Sequence, residues 1–223
     1  MNTSSIAAIA ATAALGAATH AAEVRTVYRE WFDHYQERTP AFNAGTTVAE
    51  TGVSESKGLV FAPAKGELAR RGFFHVGTPP RAGDWTFAFH YRAENAESVG
   101  GSFVLRLYFG DEARPSTAGF AVPLNARYMT KAFVTVSGGK ATLHVFDQGV
   151  QKAVATQTPP TAPLIGWNVA GAGDKPAKTI MTGVMVVDGS AKPWFPGDPT
   201  EWLAALPPKT PPASCRPCTS KAR

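Results

Sequence analysis

Cysteine is nearly missing from this chain: of 223 residues only Cys215 and Cys218 are cysteines, and both lie in a proline-rich C-terminal stretch. No disulfide framework can therefore staple the body, and a hydrophobic core has to hold it together. Charge is sparse too, at 17% of residues. There is no G-x-S-x-G elbow, no glycine-rich phosphate loop and no short-spaced run of His and Cys, so the sequence marks of a serine hydrolase, a P-loop enzyme and a zinc site are all lacking. His34, His75, His90 and His144 are scattered singly, and no metal site is expected. Long apolar runs are missing as well. The stretch Ile6 to Ala18, diluted by Thr12 and Gly16, falls short of the roughly 20 residues that cross a bilayer core.

That stretch belongs to an uncharged leader, MNTSSIAAIAATAALGAATHAA, which ends in small residues just before Glu23 and Arg25. It has the outline of a secretory signal peptide, residues 1–21, cleaved after Ala21 with Thr19 and Ala21 at the recognition positions. The alternative is a disordered Ala-rich leader. The expected location of the mature protein is secreted: periplasmic, extracellular or on the cell surface. The net charge of +5 does not point to nucleic acid, because Lys209, Arg216, Lys221 and Arg223 supply +4 of it within residues 207–223 and leave about +1 for the rest.

What the chain has in quantity is period-two alternation broken by Gly, Pro, Asp and Asn. In DWTFAFHYR, Trp85, Phe87, Phe89 and Tyr91 share one face and Thr86, Ala88, His90 and Arg92 the other, the pattern of a half-buried strand. SFVLRLYF repeats it, with Phe103, Leu105, Leu107 and Phe109 inward and Val104, Arg106 and Tyr108 outward; Gly100-Gly101 between the two predicts a hairpin-like connection. Val134 and Val136 return as Leu143 and Val145 across the turn Ser137-Gly138-Gly139-Lys140, and Val150 to Thr156 follows after Asp147-Gln148-Gly149. KTIMTGVMVVDG is apolar on both faces and predicts a central strand covered on each side. Two stretches differ. Tyr28, Trp31, Phe32 and Tyr35 have helical spacing next to the β-prone VRTVY, which leaves helix and strand both open, and Asp198-Pro199-Thr200-Glu201 has the form of a capped helix start running to Leu206. Residues 207–223 predict a solvated, disordered tail.

The order AFVTVSGGKATLHVFDQG, PLIGWN, TGVMVVDG and DPTEWLAAL, within Asp84 to Leu206, resembles the concanavalin A-like lectin/glucanase superfamily, in particular the laminin-G-like or pentraxin-like jelly-roll domains of secreted bacterial proteins. The resemblance implies an all-β fold over residues 22–206: two antiparallel sheets face to face, the last long strand pairing near the first, a short C-terminal helix, then the tail. Some relatives carry an acid after the closing glycine; here Val184-Met185-Val186 stands in its place, which puts the calcium site of those relatives in doubt, and no cofactor is expected.

Glycoside hydrolysis on this fold needs paired carboxylates, which glucanase relatives place as Glu-x-Asp-x-(x)-Glu on one strand; no such run occurs, and Glu94 and Glu97 fall at a strand end, where solvated charges belong. Cys215-Arg-Pro-Cys218 lies in the tail rather than between a strand and a helix, so a local disulfide or a cross-link to another chain is expected before redox catalysis. The expected function is a secreted or cell-surface binding module for glycan or a cell-envelope polymer, without catalysis of its own and without a membrane span in the mature chain. A glycoside-active enzyme and a structural component attached through its tail are the alternatives. Arg92, Arg106, Tyr108 and His144, all outward, are the candidate ligand residues, although they equally describe a solvated face; Trp167 is a candidate for either ligand or core.

Overall fold

The computed structural model describes residues 24–32, 47–50, 57–61, 73–81, 83–125, 127–147, 150–171 and 177–189. The leader, the expected helix near Glu201 to Leu206, the tail and the pair Cys215 and Cys218 lie outside them. Within them the chain is all-β, a sandwich of two antiparallel sheets. The strands are β1 (Arg25–Glu30), β2 (Thr47–Glu50), β3 (Lys57–Phe61), β4 (Phe74–His75), β5 (Trp85–Ala93), β6 (Ser102–Phe109), β7 (Ser116–Pro123), β8 (Thr130–Ser137), β9 (Lys140–Asp147), β10 (Val150–Gln157), β11 (Leu164–Gly171) and β12 (Thr179–Asp188). The larger sheet runs β10-β9-β8-β5-β12-β3-β2, with β1 also on β12, and the smaller runs β4-β11-β6-β7.

Alternation builds the core. Phe87, Phe89, Val134, Val136, Leu143 and Val145 from the larger sheet meet Leu105 and Leu107 from the smaller, and all eight are buried in one cluster, on the faces the pattern predicts. Edge-on rings join the layers: Phe87 with Trp167 at 5.7 Å, and Phe103 with Tyr91 at 5.8 Å and with Phe89 at 6.3 Å. The predicted turn between β8 and β9 is present, with positive φ at both Gly138 and Gly139, as a tight two-residue hairpin needs.

β12 is buried along its whole length and central, as its two apolar faces predict. One edge pairs with β5; along the other, β3 covers Thr179 to Met181 and β1 covers Val184 to Asp188. The handover falls at Gly183, where φ is +59° and an added Cβ would lie 2.8 Å from His90 Nδ1 and 2.9 Å from Trp31 Cζ3. Only glycine fits both that backbone and that approach.

Three readings of the sequence are decided or corrected here. Arg25–Glu30 is a strand, not a helix: Tyr28 turns towards the core, where its hydroxyl accepts the Trp167 indole N–H at 3.1 Å, and the chain then bends at Phe32, which holds φ +60° while its amide donates to Glu30 Oε1 at 2.7 Å. Tyr35 lies outside the described residues. The Gly100-Gly101 connection is not a hairpin, because β5 belongs to the larger sheet and β6 to the smaller. The chain crosses between layers through a short 3-10 turn at Ala96–Ser98, capped by Asn95, whose side chain accepts from Ser98 N. Finally, β5 is covered on both faces over its first five residues rather than half-buried, because Ala88 on its outer side packs with Phe133, Met185 and Val187 in a second cluster joined by Trp31 and Phe146.

Candidate binding site

The smaller sheet turns an inner and an outer face, and the outer one carries an aromatic step. β4 pairs with β11 through Phe74 opposite Trp167 and His75 opposite Gly166. Period two then sends Phe74 inward, where it stacks on Trp167 at 4.3 Å, and sends Phe73 and His75 outward. The Phe73 ring lies over Gly166: a Cβ there would be 2.7 Å from Phe73 Cε2 and closer still to Cδ2. Gly166 is thus the seat of the ring. From it Phe73 stacks on Tyr108 of β6 at 4.7 Å and 16°, and meets His75 at 4.6 Å.

Beside this step the outer face is covered along β11, where Asn168 is 2% and Ala170 5% exposed, and open along β7. Arg106 precedes Tyr108 by two residues and shares its face, opposite Gly119 of the edge strand β7. The outward residues of β7, Thr117, Gly119 and Ala121, are exposed and short. Gln157 of β10 donates to the Gly119 carbonyl at 3.0 Å and closes that side. At the other end the His75 imidazole pairs with Glu112 at 3.1 Å, a contact that solvent largely screens since both side chains are more than half exposed. The exposed part is a strip along β7 with the Thr117 hydroxyl, bordered by the Arg106 guanidinium and by the Phe73 ring, under which Tyr108 is only 9% exposed.

The outer face of the larger sheet is different. Around Ala88, Phe133, Met185 and Val187 it is buried and apolar. His90 sits there, its imidazole pushed down to about 4 first by burial and then by the charge of Lys131, so it is neutral near pH 7. Further out, His144 is held between Thr135 Oγ1 at 3.1 Å and Gln151 Nε2 at 3.3 Å, and burial lowers its pKa too.

The five candidates from the sequence therefore fall in three places. Arg106 and Tyr108 come together on the smaller sheet. Arg92 and His144 face outward from the larger sheet, on the opposite side of the sandwich. Trp167 is fully buried between the sheets, its N–H taken by Tyr28, and has no face to offer a ligand. Phe73 and His75 were not among the candidates, although two adjacent phenylalanines before a histidine, FFH, necessarily send one ring to each face of a strand. Glu94 is exposed at the end of β5 and Glu97 is exposed on the 3-10 turn after it. Among the described residues no group of three or more His, Cys, Asp or Glu could hold a metal ion, and no helix is long and apolar enough to cross a membrane.

No family model matches this sequence, and no curated protein matches it. Solved structures do. The CBM2 module of the Lactobacillus casei BL23 phage J-1 evolved Dit is 13% identical over 74% of this chain and 95% of that one, with a TM-score of 0.39. Peanut lectin with a nine-residue peptide is 10% identical over 74% and 97%, at 0.39. The VIP36 exoplasmic/lumenal domain in its Ca2+/Man-bound form is 14% identical over 68% and 80%, at 0.37. Overlap at this level transfers no residue role to the chain, whose site has to be read from its own side chains.

Proposed function

We propose that this protein is a secreted or cell-surface module of the concanavalin A-like jelly-roll kind that binds neutral carbohydrate on the outer face of its smaller sheet, without catalysis of its own. The observation that carries the reading is the Phe73–Tyr108 stack seated on Gly166 beside Arg106 and the open strip of β7. A pyranose ring has an apolar C–H face and an equatorial rim of hydroxyls. The ring wall suits the first, and the Arg106 guanidinium and Thr117 hydroxyl suit the second. A flat strip of short side chains admits an extended polymer where a deep pocket would admit only a chain end.

A neutral ligand on a body whose net charge is only about +1 outside residues 207–223 should bind with little dependence on salt. Isothermal titration of the mature protein with neutral polysaccharides, at low and high salt, tests this. Phe73→Ala should weaken binding by about twofold to tenfold, the value of one aromatic contact of about 0.5–1.5 kcal/mol, and Arg106→Ala should weaken it further. Binding that ignores both substitutions would overturn the placement. Binding to acidic polymers alone, abolished by salt and by deletion of residues 207–223, would instead assign the function to the tail.

A further inference from the structure

We propose a second site, independent of the sheet-face reading: Arg25 and Arg81 form a receptor for an oxyanion, a carboxylate or sulfate group, at one end of the sandwich. Its foundation is Asp188, the last residue of β12, whose side chain is only 2% exposed. Register sets Arg25 of β1 directly opposite it, and Arg25 Nε donates to Asp188 Oδ2 at 2.9 Å. Arg81 belongs to the loop between β4 and β5. Its backbone N–H donates to Asp188 Oδ1 at 3.1 Å, and its Nε lies 3.5 Å from the same Oδ2. The two guanidinium groups are therefore neighbours, brought together by one oxygen atom.

Stoichiometry and geometry both leave this cluster unfinished. Two guanidinium charges face one carboxylate, so these three groups together carry +1. A pair built only for stability would be fork to fork, with two parallel N–H···O bonds from one arginine. Here each arginine approaches the carboxylate by Nε, and among the described residues the Nη groups of both have no partner. The arginine side chains are 40% and 55% exposed, so those Nη edges are open to solvent. Two forks held side by side by a buried carboxylate are a pre-organised host for a flat or tetrahedral oxyanion, whose binding would order little that is not already ordered. No other described carboxylate pairs with either arginine, although the Asp84 backbone is anchored close by through Gly189 N–H to Asp84 O at 2.9 Å.

The site lies at the end of the sandwich where the aromatic step also sits. Asp188 is opposite Trp85, whose ring meets Phe109 at 6.4 Å, and Phe109 follows Tyr108. An acidic glycan and a free inorganic anion share the chemistry, so the probes have to separate them.

The test is a titration of the full-length mature protein, followed by the side-chain Nε–H resonances of Arg25 and Arg81. The probes are sodium sulfate, sodium glucuronate and a short oligoglucuronate, each against sodium chloride at matched ionic strength. Saturable shifts at both arginines with sulfate or glucuronate, and not with chloride, are expected. Tighter binding of the oligoglucuronate would name an acidic glycan as the ligand, and equal or better binding of sulfate a free oxyanion. Arg81→Ala, which leaves the Arg25–Asp188 pair in place, should weaken binding at least about tenfold, the value of one charge-assisted hydrogen bond. Arg81→Lys should weaken it comparably, since it keeps the charge and loses the fork. Shifts that rise linearly with every salt, or an Arg81→Lys protein that binds as tightly as the parent, would overturn the proposal.

Discussion

Replacing Gly166 by alanine should disturb the packing and the proposed binding face together. Its new Cβ would stand 2.6 Å from the Phe74 carbonyl oxygen and 2.7 Å from Phe73 Cε2. The ring is a side chain and can swing away, though only by leaving its seat. The carbonyl is backbone in a two-residue strand that, among the described residues, pairs with β11 alone, so β4 itself has to retreat by several tenths of an ångström. Forced overpacking of this kind costs about 1–3 kcal/mol, and in a domain of this size each kcal/mol lowers Tm by roughly 2–4 °C. Urea unfolding of Gly166→Ala, Phe73→Ala and the double variant apportions the cost. With Phe73 already truncated, Gly166→Ala should cost less, because the ring clash is gone, yet more than nothing, because the carbonyl remains. Neutral-glycan affinity should fall in Gly166→Ala with the displaced ring. A cost below about 0.5 kcal/mol, the range of ordinary surface changes, or the same cost in both backgrounds, would refute the seating of Phe73 on this glycine.

Leu105→Ala removes a fully buried side chain from the middle of β6 and should cost about 2–5 kcal/mol by urea unfolding; a loss near zero would mean that the face of β6 is reversed. His90, with its pKa moved from 6.5 down to about 4, takes up a proton more readily in the unfolded chain. Its contribution is therefore complete above about pH 6.5, declines as pH falls from 6.5 to about 4, and is level below that. The total change is at most about 3.4 kcal/mol at 1.36 kcal/mol per unit, with His144 shifted the same way. A His90→Gln variant should flatten unfolding midpoints over that window, and a slope identical to the parent's would remove burial of His90 as the cause.

Most of the sandwich's inner surface was legible because strand parity is a local property. Trp85, Phe87, Phe89 and Tyr91 had to share a side wherever β5 went, and they do. The sequence of β12, apolar on both faces, likewise predicted its central place. Connection is another matter. A hairpin and a crossover between layers both keep Tyr91 and Phe103 on the core side, so alternation on either side of Gly100-Gly101 cannot distinguish them; the capping bond from Asn95 to the 3-10 turn is what marks the crossing. Nor could parity foresee that Ala88 would be covered, since its cover comes from Phe133 of β8, Met185 and Val187 of β12, and Trp31.

The site was less legible for a reason that follows from the architecture. In a two-layer sandwich, "outward" names two surfaces, and residues assigned to it from alternation are a mixture of both. Arg92 and His144 lie on one outer face and Arg106 and Tyr108 on the other, Tyr108 covered there by Phe73, and a whole core separates the pairs. Only the strand order sorts them, and strand order is carried by contacts between segments distant in the chain. The Arg25–Asp188–Arg81 cluster is the extreme case: its bonds join residues 163 and 107 positions apart, and each depends on register at a strand end. Composition, spacing and motif are blind to such a juxtaposition, because each residue taken alone is an ordinary charge beside a turn. A binding surface made of side chains from one strand can be suspected from sequence, whereas one made where strands end has to be found in the fold, which is why the end of the sandwich offers the sharper test of function here.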